Sequence, residues 1–163
     1  MTTIAYKDGV VAADSRETWD SEAGGASYHK CAKLFRKKLK NRDVVIATAG
    51  ATYSGMVFVD WYGSDTPAPD HLTMIEDSDK DFDALILDSG KLYQVNHMCR
   101  PVEIVDGFIA IGSGRKSALA AMHCGKSAEE AVRIACLIDP YSAPPVYTAR
   151  MPLAAIPKKR KRK

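Results

Sequence analysis

A chain of 163 residues, 46% hydrophobic and 26% charged, has the size and composition of one soluble globular domain able to bury most of its unfolded surface. No apolar run approaches the ~20 residues of a bilayer-spanning helix and no charged-then-apolar leader opens the chain, so a membrane or secreted protein is not expected and the cytoplasm is. The net charge of +3 is carried by the end of the chain: the last six residues, Lys158 to Lys163, are all basic, and without them 17 basic side chains face 20 acidic ones.

In chain order, Thr2 comes first. Threonine is small enough for the initiator methionine before it to be trimmed, which would leave a hydroxyl and a free α-amine on adjacent carbons. An α-amine titrates near pH ~8 and can act as base beside its own alcohol nucleophile. Thr3-Ile4-Ala5-Tyr6 and Val10-Val11-Ala12-Ala13 are β-prone runs around Lys7-Asp8-Gly9; Asp-Gly is the strongest short-range hairpin signal. The second run ends at Asp14, whose carboxylate then lies across the hairpin from the start of the chain. Lys33 heads the short apolar segment Leu34-Phe35. Asp43 to Ala51 reads as a buried strand that breaks at Gly50 into a helix ending by Gly63. The acidic, proline-rich stretch from Ser64 to Lys80 reads as a surface loop.

Phe82–Asp88 reads as a strand, Ser89-Gly90 as a tight turn and Leu92–Val95 as its partner. A helix follows Gly114 and ends near Gly125. Ser127-Ala128-Glu129-Glu130 is a capping box opening a helix over Ala131 to Ile138. A closing strand falls at Val146-Tyr147-Thr148. Strands followed by two consecutive helices imply paired sheets with helices outside, an α+β class. The domain is expected over residues 1–157. Residues 158–163 form a basic tail expected to be disordered, which fits a solubilising tail, a weak nucleic-acid contact, a nuclear import signal or a dock for an acidic partner. Cys31, Cys99, Cys124 and Cys136 lack paired spacing and read as reduced thiols; the four histidines lack metal-ligand spacing, so neither metal nor other cofactor is expected.

The order Thr2-Thr3-Ile4, Gly9 to Arg16, Lys33-Leu34-Phe35, Ala49-Gly50, Gly112-Ser113-Gly114 resembles the proteasome β-subunit family and its bacterial relative HslV. Ala135 to Ser142 after a helix resembles it too, and the resemblance runs from Thr2 to about Thr148. These are N-terminal nucleophile hydrolases, which implies a four-layer αββα sandwich and a threonine-type endopeptidase working through an acyl-Thr2 intermediate.

The resemblance implies a role for each candidate beside a plainer reading. Thr2 would be the nucleophile, or a strand-edge residue. Asp14 would orient Lys33, or cap a turn. Lys33 would lower the cost of deprotonating Thr2, or belong to a solvated basic face with Lys30, Arg36, Lys37, Lys38 and Lys40; Lys30 is its rival. Gly50 would offer an oxyanion-binding N–H, a type of donor worth roughly 3 kcal/mol, or simply let the chain turn. Ser113 would bond the Thr2 amine, or sit in a phosphate-cradling turn; it lacks the Gly-x-Ser-x-Gly spacing of a serine nucleophile elbow. Asp139 and Ser142 would approach the same amine, or end a helix before Pro140. Thr48 would line the specificity pocket.

The resemblance further implies protein or peptide substrates, a homo-oligomer of stacked rings, and an ATPase unfoldase that binds ATP in place of this chain. The chain has no Gly-x-x-x-x-Gly-Lys-Ser/Thr sequence of its own. It departs from the family in a shorter hairpin, a proline-rich Pro140 to Pro145 stretch, and the basic tail. A non-catalytic ring or scaffold subunit is the alternative, and a nucleic-acid-binding module driven by the tail is a third reading that the acidic body opposes.

Overall fold

The computed structural model describes residues 2–20, 26–73 and 82–150. The chain starts in an antiparallel hairpin, β1 (Thr3–Lys7) and β2 (Val10–Ala13). Lys7 pairs with Val10, leaving Asp8 and Gly9 as a two-residue loop with φ of 51° and 79°. Positive φ at both positions is what a type I′ turn demands, and Asp-Gly supplies it. Ser89-Gly90 repeats the device, at φ 51° and 82°, between β7 (Phe82–Asp88) and β8 (Lys91–Asn96).

Two sheets form the middle of the molecule. One has four strands in the order β10-β1-β2-β11, with β10 at Phe108–Gly112 and β11 at Tyr147–Arg150. The other has five, β5-β6-β7-β8-β9, with β5 at Leu34–Lys38, β6 at Asp43–Gly50 and β9 at Val102–Ile104. Alternate residues of a strand face opposite sides of its sheet, so each sheet divides its apolar residues between two layers. Ile4, Val11 and Ala13 meet Val45, Ala47, Leu85 and Leu87 between the sheets. Ala5, Ala12 and Ala110, on the other face of the first sheet, meet α3 (Arg115–His123) and α4 (Ala128–Ile138). Val44, Ile46, Ala84 and Ile86, on the far face of the second, meet Phe58 of α1 (Thr52–Trp61) and Leu72 of α2 (Asp70–Thr73). The layers are therefore α, β, β, α, as the family resemblance implied. Phe58 is completely buried, and truncating such a side chain to alanine costs about 3–5 kcal/mol.

Several local readings change. The stretch read as a loop from Ser64 to Lys80 contains α2, because Leu72 is fully buried against α1 and the second sheet; residues 74–81 lie outside the described part. The capping box is present, but Ser127 itself is the N-cap and α4 begins at Ala128, ahead of Ala131. The closing strand starts at Tyr147 and extends to Arg150, where Ala149 packs between the sheets. A two-stranded ribbon, β3 (Arg16–Asp20) and β4 (Ala26–Lys30), was not anticipated. Its strands leave Trp19 and Tyr28 exposed and so carry no clear in-and-out pattern. The basic tail lies within residues 151–163, outside the described part.

Candidate active site

The start of β1, the end of β2 and the end of β10 meet at one end of the first sheet. Thr3 pairs with Gly112, and any Cβ at Gly112, where φ is 88°, would collide with the Thr2 carbonyl oxygen. Glycine there lets the start of the chain lie against β10. Thr2 is 3% exposed.

Asp14 follows β2 directly across from Thr3. The Asp14 N–H donates to the Thr3 carbonyl at 3.1 Å, and the Thr3 N–H donates to Asp14 Oδ1 at 2.9 Å. Lys33 sits just before β5, its carbonyl accepting from the Thr48 N–H of β6 at 3.0 Å. That bond aims the side chain inward: Lys33 Nζ reaches Asp14 Oδ1 at 2.9 Å and also donates to the Arg16 carbonyl. The other Asp14 oxygen accepts from the Arg16 N–H at 3.0 Å and the Ala143 N–H at 3.1 Å. The side chains are 5% and 0% exposed, and a pair this deep persists because its remaining lone pairs are satisfied. Lys30 is exposed on β4 opposite Arg16 and takes no part.

A second polar cluster lies beside it. Ser113, in the turn after β10, donates to Asp139 Oδ2 at 2.7 Å and lies 3.3 Å from the Thr2 carbonyl oxygen. Ser142 donates to the same Asp139 oxygen at 2.6 Å and stands 2.6 Å from Thr3 Oγ1. Asp139 is also the C-cap of α4, so its helix-ending and polar-cluster roles coexist. Gly50 ends β6 with φ of 93°, turning the chain toward α1.

No family model and no curated protein matches this chain, whereas solved structures do. BPH of Thiobacillus denitrificans in complex with epoxomicin matches with a TM-score of 0.63 at 20% identity, over 94% of this chain and 99% of that one. The fold is that of the proteasome-like N-terminal nucleophile hydrolases. Eukaryotic HslV from Trypanosoma brucei matches with a TM-score of 0.61 at 18% identity, over 91% of this chain and 97% of that one. Anbu, the ancestral β-subunit from Yersinia bercovieri, gives 0.71 at 12% identity, over 93% and 81%.

Within this proteasome-like fold, Thr2 borders open space on two sides. A cleft of about 240 Å³ is shared by Thr2, Gly50, Phe82, Asp83, Gly112 and Ser113. A much smaller recess of about 10 Å³ joins Thr2 to Cys31, Lys33, Phe35, Thr48 and Met56. Thr48 packs against Gly55 of α1, where a Cβ would come within 2.9 Å of it. A larger cavity, about 420 Å³, touches Asp14 and Lys33 from between β5 and β11 and does not include Thr2.

Two thiols are nearby and neither competes as a nucleophile at neutral pH. Burial, followed by the Asp14 charge, pushes Cys136 up to about 11. Burial also raises Cys31. Both stay protonated, and a thiol reacts as its thiolate. Among the described residues, no three His, Cys, Asp or Glu side chains converge as metal ligands would. No described helix is long and apolar enough to cross a membrane.

Sequence reading missed three participants: the Arg16 carbonyl, the Ala143 amide and the Thr3 hydroxyl. The first two act through backbone, which side-chain type does not report. Thr3 stood in view, but as half of a Thr-Thr pair in which only the first residue drew attention.

Proposed function

We propose that this chain is a threonine-type endopeptidase whose nucleophile is Thr2 once Met1 has been removed. The observation that carries the reading is the burial of Thr2 beside Lys33, itself ion-paired to a fully buried Asp14. Thr2 Oγ attacks the carbonyl carbon of a peptide bond, and the Thr2 α-amine, directly or through a water, accepts the hydroxyl proton. The Lys33 ammonium lowers the cost of negative charge on Oγ, and Asp14 holds it there as the third member of a triad does. The oxyanion meets the Gly50 N–H. The carbon–nitrogen bond breaks, the departing amine takes the proton, and water hydrolyses the Thr2 ester to release the second product.

Ser113, Asp139 and Ser142 hold the terminal amine in place, and Thr48 lines the wall that receives a substrate side chain. The likeness to HslV and to an epoxomicin-bound BPH supports this reading. It extends to a homo-oligomeric ring in the cytoplasm that encloses the nucleophiles and takes protein substrates from a separate ATPase.

Epoxomicin is the probe. After incubation with the assembled protein, intact mass and peptide mapping are expected to show loss of one methionine and a covalent adduct on Thr2. Assembled protein that retains Met1 and takes up no epoxomicin overturns the proposal in favour of an inert shell.

A further inference from the structure

The polar cluster beside Thr2 has a direction. Asp139 Oδ2 lies 2.6 Å from Ser142 Oγ and 2.7 Å from Ser113 Oγ. An ionised carboxylate has no proton to give, so both serine hydroxyls must point theirs at it. Ser142 has then used its single proton. Its other contact, 2.6 Å to Thr3 Oγ1, is a hydrogen bond only if Thr3 donates.

Thr3 is built to do this. It is completely buried, and its backbone N–H is held by Asp14 Oδ1 at 2.9 Å. A β-branched side chain has few χ1 choices, and the hydroxyl fits only because residue 114 is glycine: a Cβ there would collide with Thr3 Oγ1. We propose that Thr3 is a positioning residue whose hydroxyl, locked as a donor to Ser142, keeps Ser142 donating to Asp139 and so holds in place the carboxylate that also takes the Ser113 proton beside Thr2. With Thr3 silent, Ser142 could turn its proton away from Asp139, and the carboxylate that positions Ser113 would lose one of its two hydroxyl donors. The inference rests on Thr2 being the terminal nucleophile, but the direction of the bonds does not.

Two measurements separate them. Neutron diffraction from the deuterium-exchanged assembly should place a deuteron on Thr3 Oγ1 aimed at Ser142. A deuteron on Ser142 aimed at Thr3 overturns the proposal whether or not the protein cleaves peptides. In peptide hydrolysis, losing one buried hydrogen bond predicts that Thr3→Val lowers kcat about 5–10-fold with KM within about twofold, and that Thr3→Ser restores most of it. Because Thr3 acts through Ser142, adding Thr3→Val to Ser142→Ala should cost little more than Ser142→Ala alone. A Thr3→Ser as impaired as Thr3→Val, or fully additive losses, would reduce Thr3 to a packing residue. Thr3→Ala serves the same comparison if Thr3→Val does not assemble. A wild type inert to peptides and epoxomicin, with the deuteron on Thr3, would sink the peptidase reading and leave the bond direction standing.

Discussion

Two carboxylates are sunk into opposite ends of this molecule, and they are held in different ways. Asp14 is fully buried and is gripped by Lys33 and three backbone amides. Asp88, at the end of β7, is 6% exposed and is gripped by side chains: Arg42 Nε at 2.7 and 2.9 Å, Ser89 Oγ at 2.8 Å and Tyr62 Oη at 3.2 Å. Both are ion pairs at strand ends. Arginine never gives up its proton in a protein, whereas a lysine does so when its surroundings ask. Burial, and then the Asp88 charge, pushes Tyr62 up to about 12, so its hydroxyl stays a donor. The Asp88 cluster is therefore a fixed clamp. The Asp14 cluster places its lysine beside Thr2. A buried ion pair alone does not mark a site; what differs at the Asp14 end is the Thr2 hydroxyl beside it.

The harshest way to break the comparison is to remove the hydroxyl that gives the Asp14 end its meaning. Thr2→Ala should abolish peptide cleavage while ring assembly, followed by sedimentation, is unchanged; undiminished turnover rules out Thr2. Next in size is Lys33→Ala, expected to lower kcat/KM by several orders of magnitude, as loss of triad-type partners does. Lys33→Arg should not rescue it, because a planar, permanently charged fork cannot stand in for an ammonium in that space. Lys30→Ala should stay within about twofold, since Lys30 is exposed and apart from the cluster. A severe loss at Lys30 with a mild one at Lys33 would invert the assignment.

At the other end, Arg42→Ala tests whether Asp88 is only a clamp. It strands a buried carboxylate on two hydroxyls, but Arg42 is 47% exposed and water can partly replace it. The expected cost is roughly 1–2 kcal/mol in denaturant unfolding, with kcat unaltered. A fall in kcat out of proportion to stability would mean the two ends are coupled.

What could be read beforehand follows the same division between side chain and backbone. Asp8-Gly9 and Ser89-Gly90 were legible because a type I′ turn demands particular residues. Ser127 to Glu130 was legible because a capping box is a side-chain pattern. The layers were legible from strand order together with the family resemblance. Leu72 was not, because one buried leucine in an acidic, proline-rich stretch gives no periodicity. Lys33 was legible ahead of Lys30 because it heads Leu34-Phe35, but that its carbonyl is pinned to Thr48 was not. Nor could composition reveal the Ala143 amide, which reaches back 129 residues to Asp14.

A third carboxylate gives the gentlest test. Glu130 is held as firmly in geometry as the buried two, yet it lies at the surface on the first turn of α4. The Ser127 backbone N–H, then the Ser127 hydroxyl, then Lys126 draw it down to about 2 from 4.5. A carboxylate whose value is depressed by folding contributes stability above its unfolded value and loses it as pH falls through the folded one. The window is thus between about 4.5 and 2. Unfolding of wild type and Glu130→Gln should differ by a constant amount above pH ~5, and the gap should close as pH drops toward ~2. Taking the difference cancels the acid response of every group the two proteins share. A gap that does not change with pH would show that the box works through its hydrogen bonds alone and that the charge on Glu130 adds nothing.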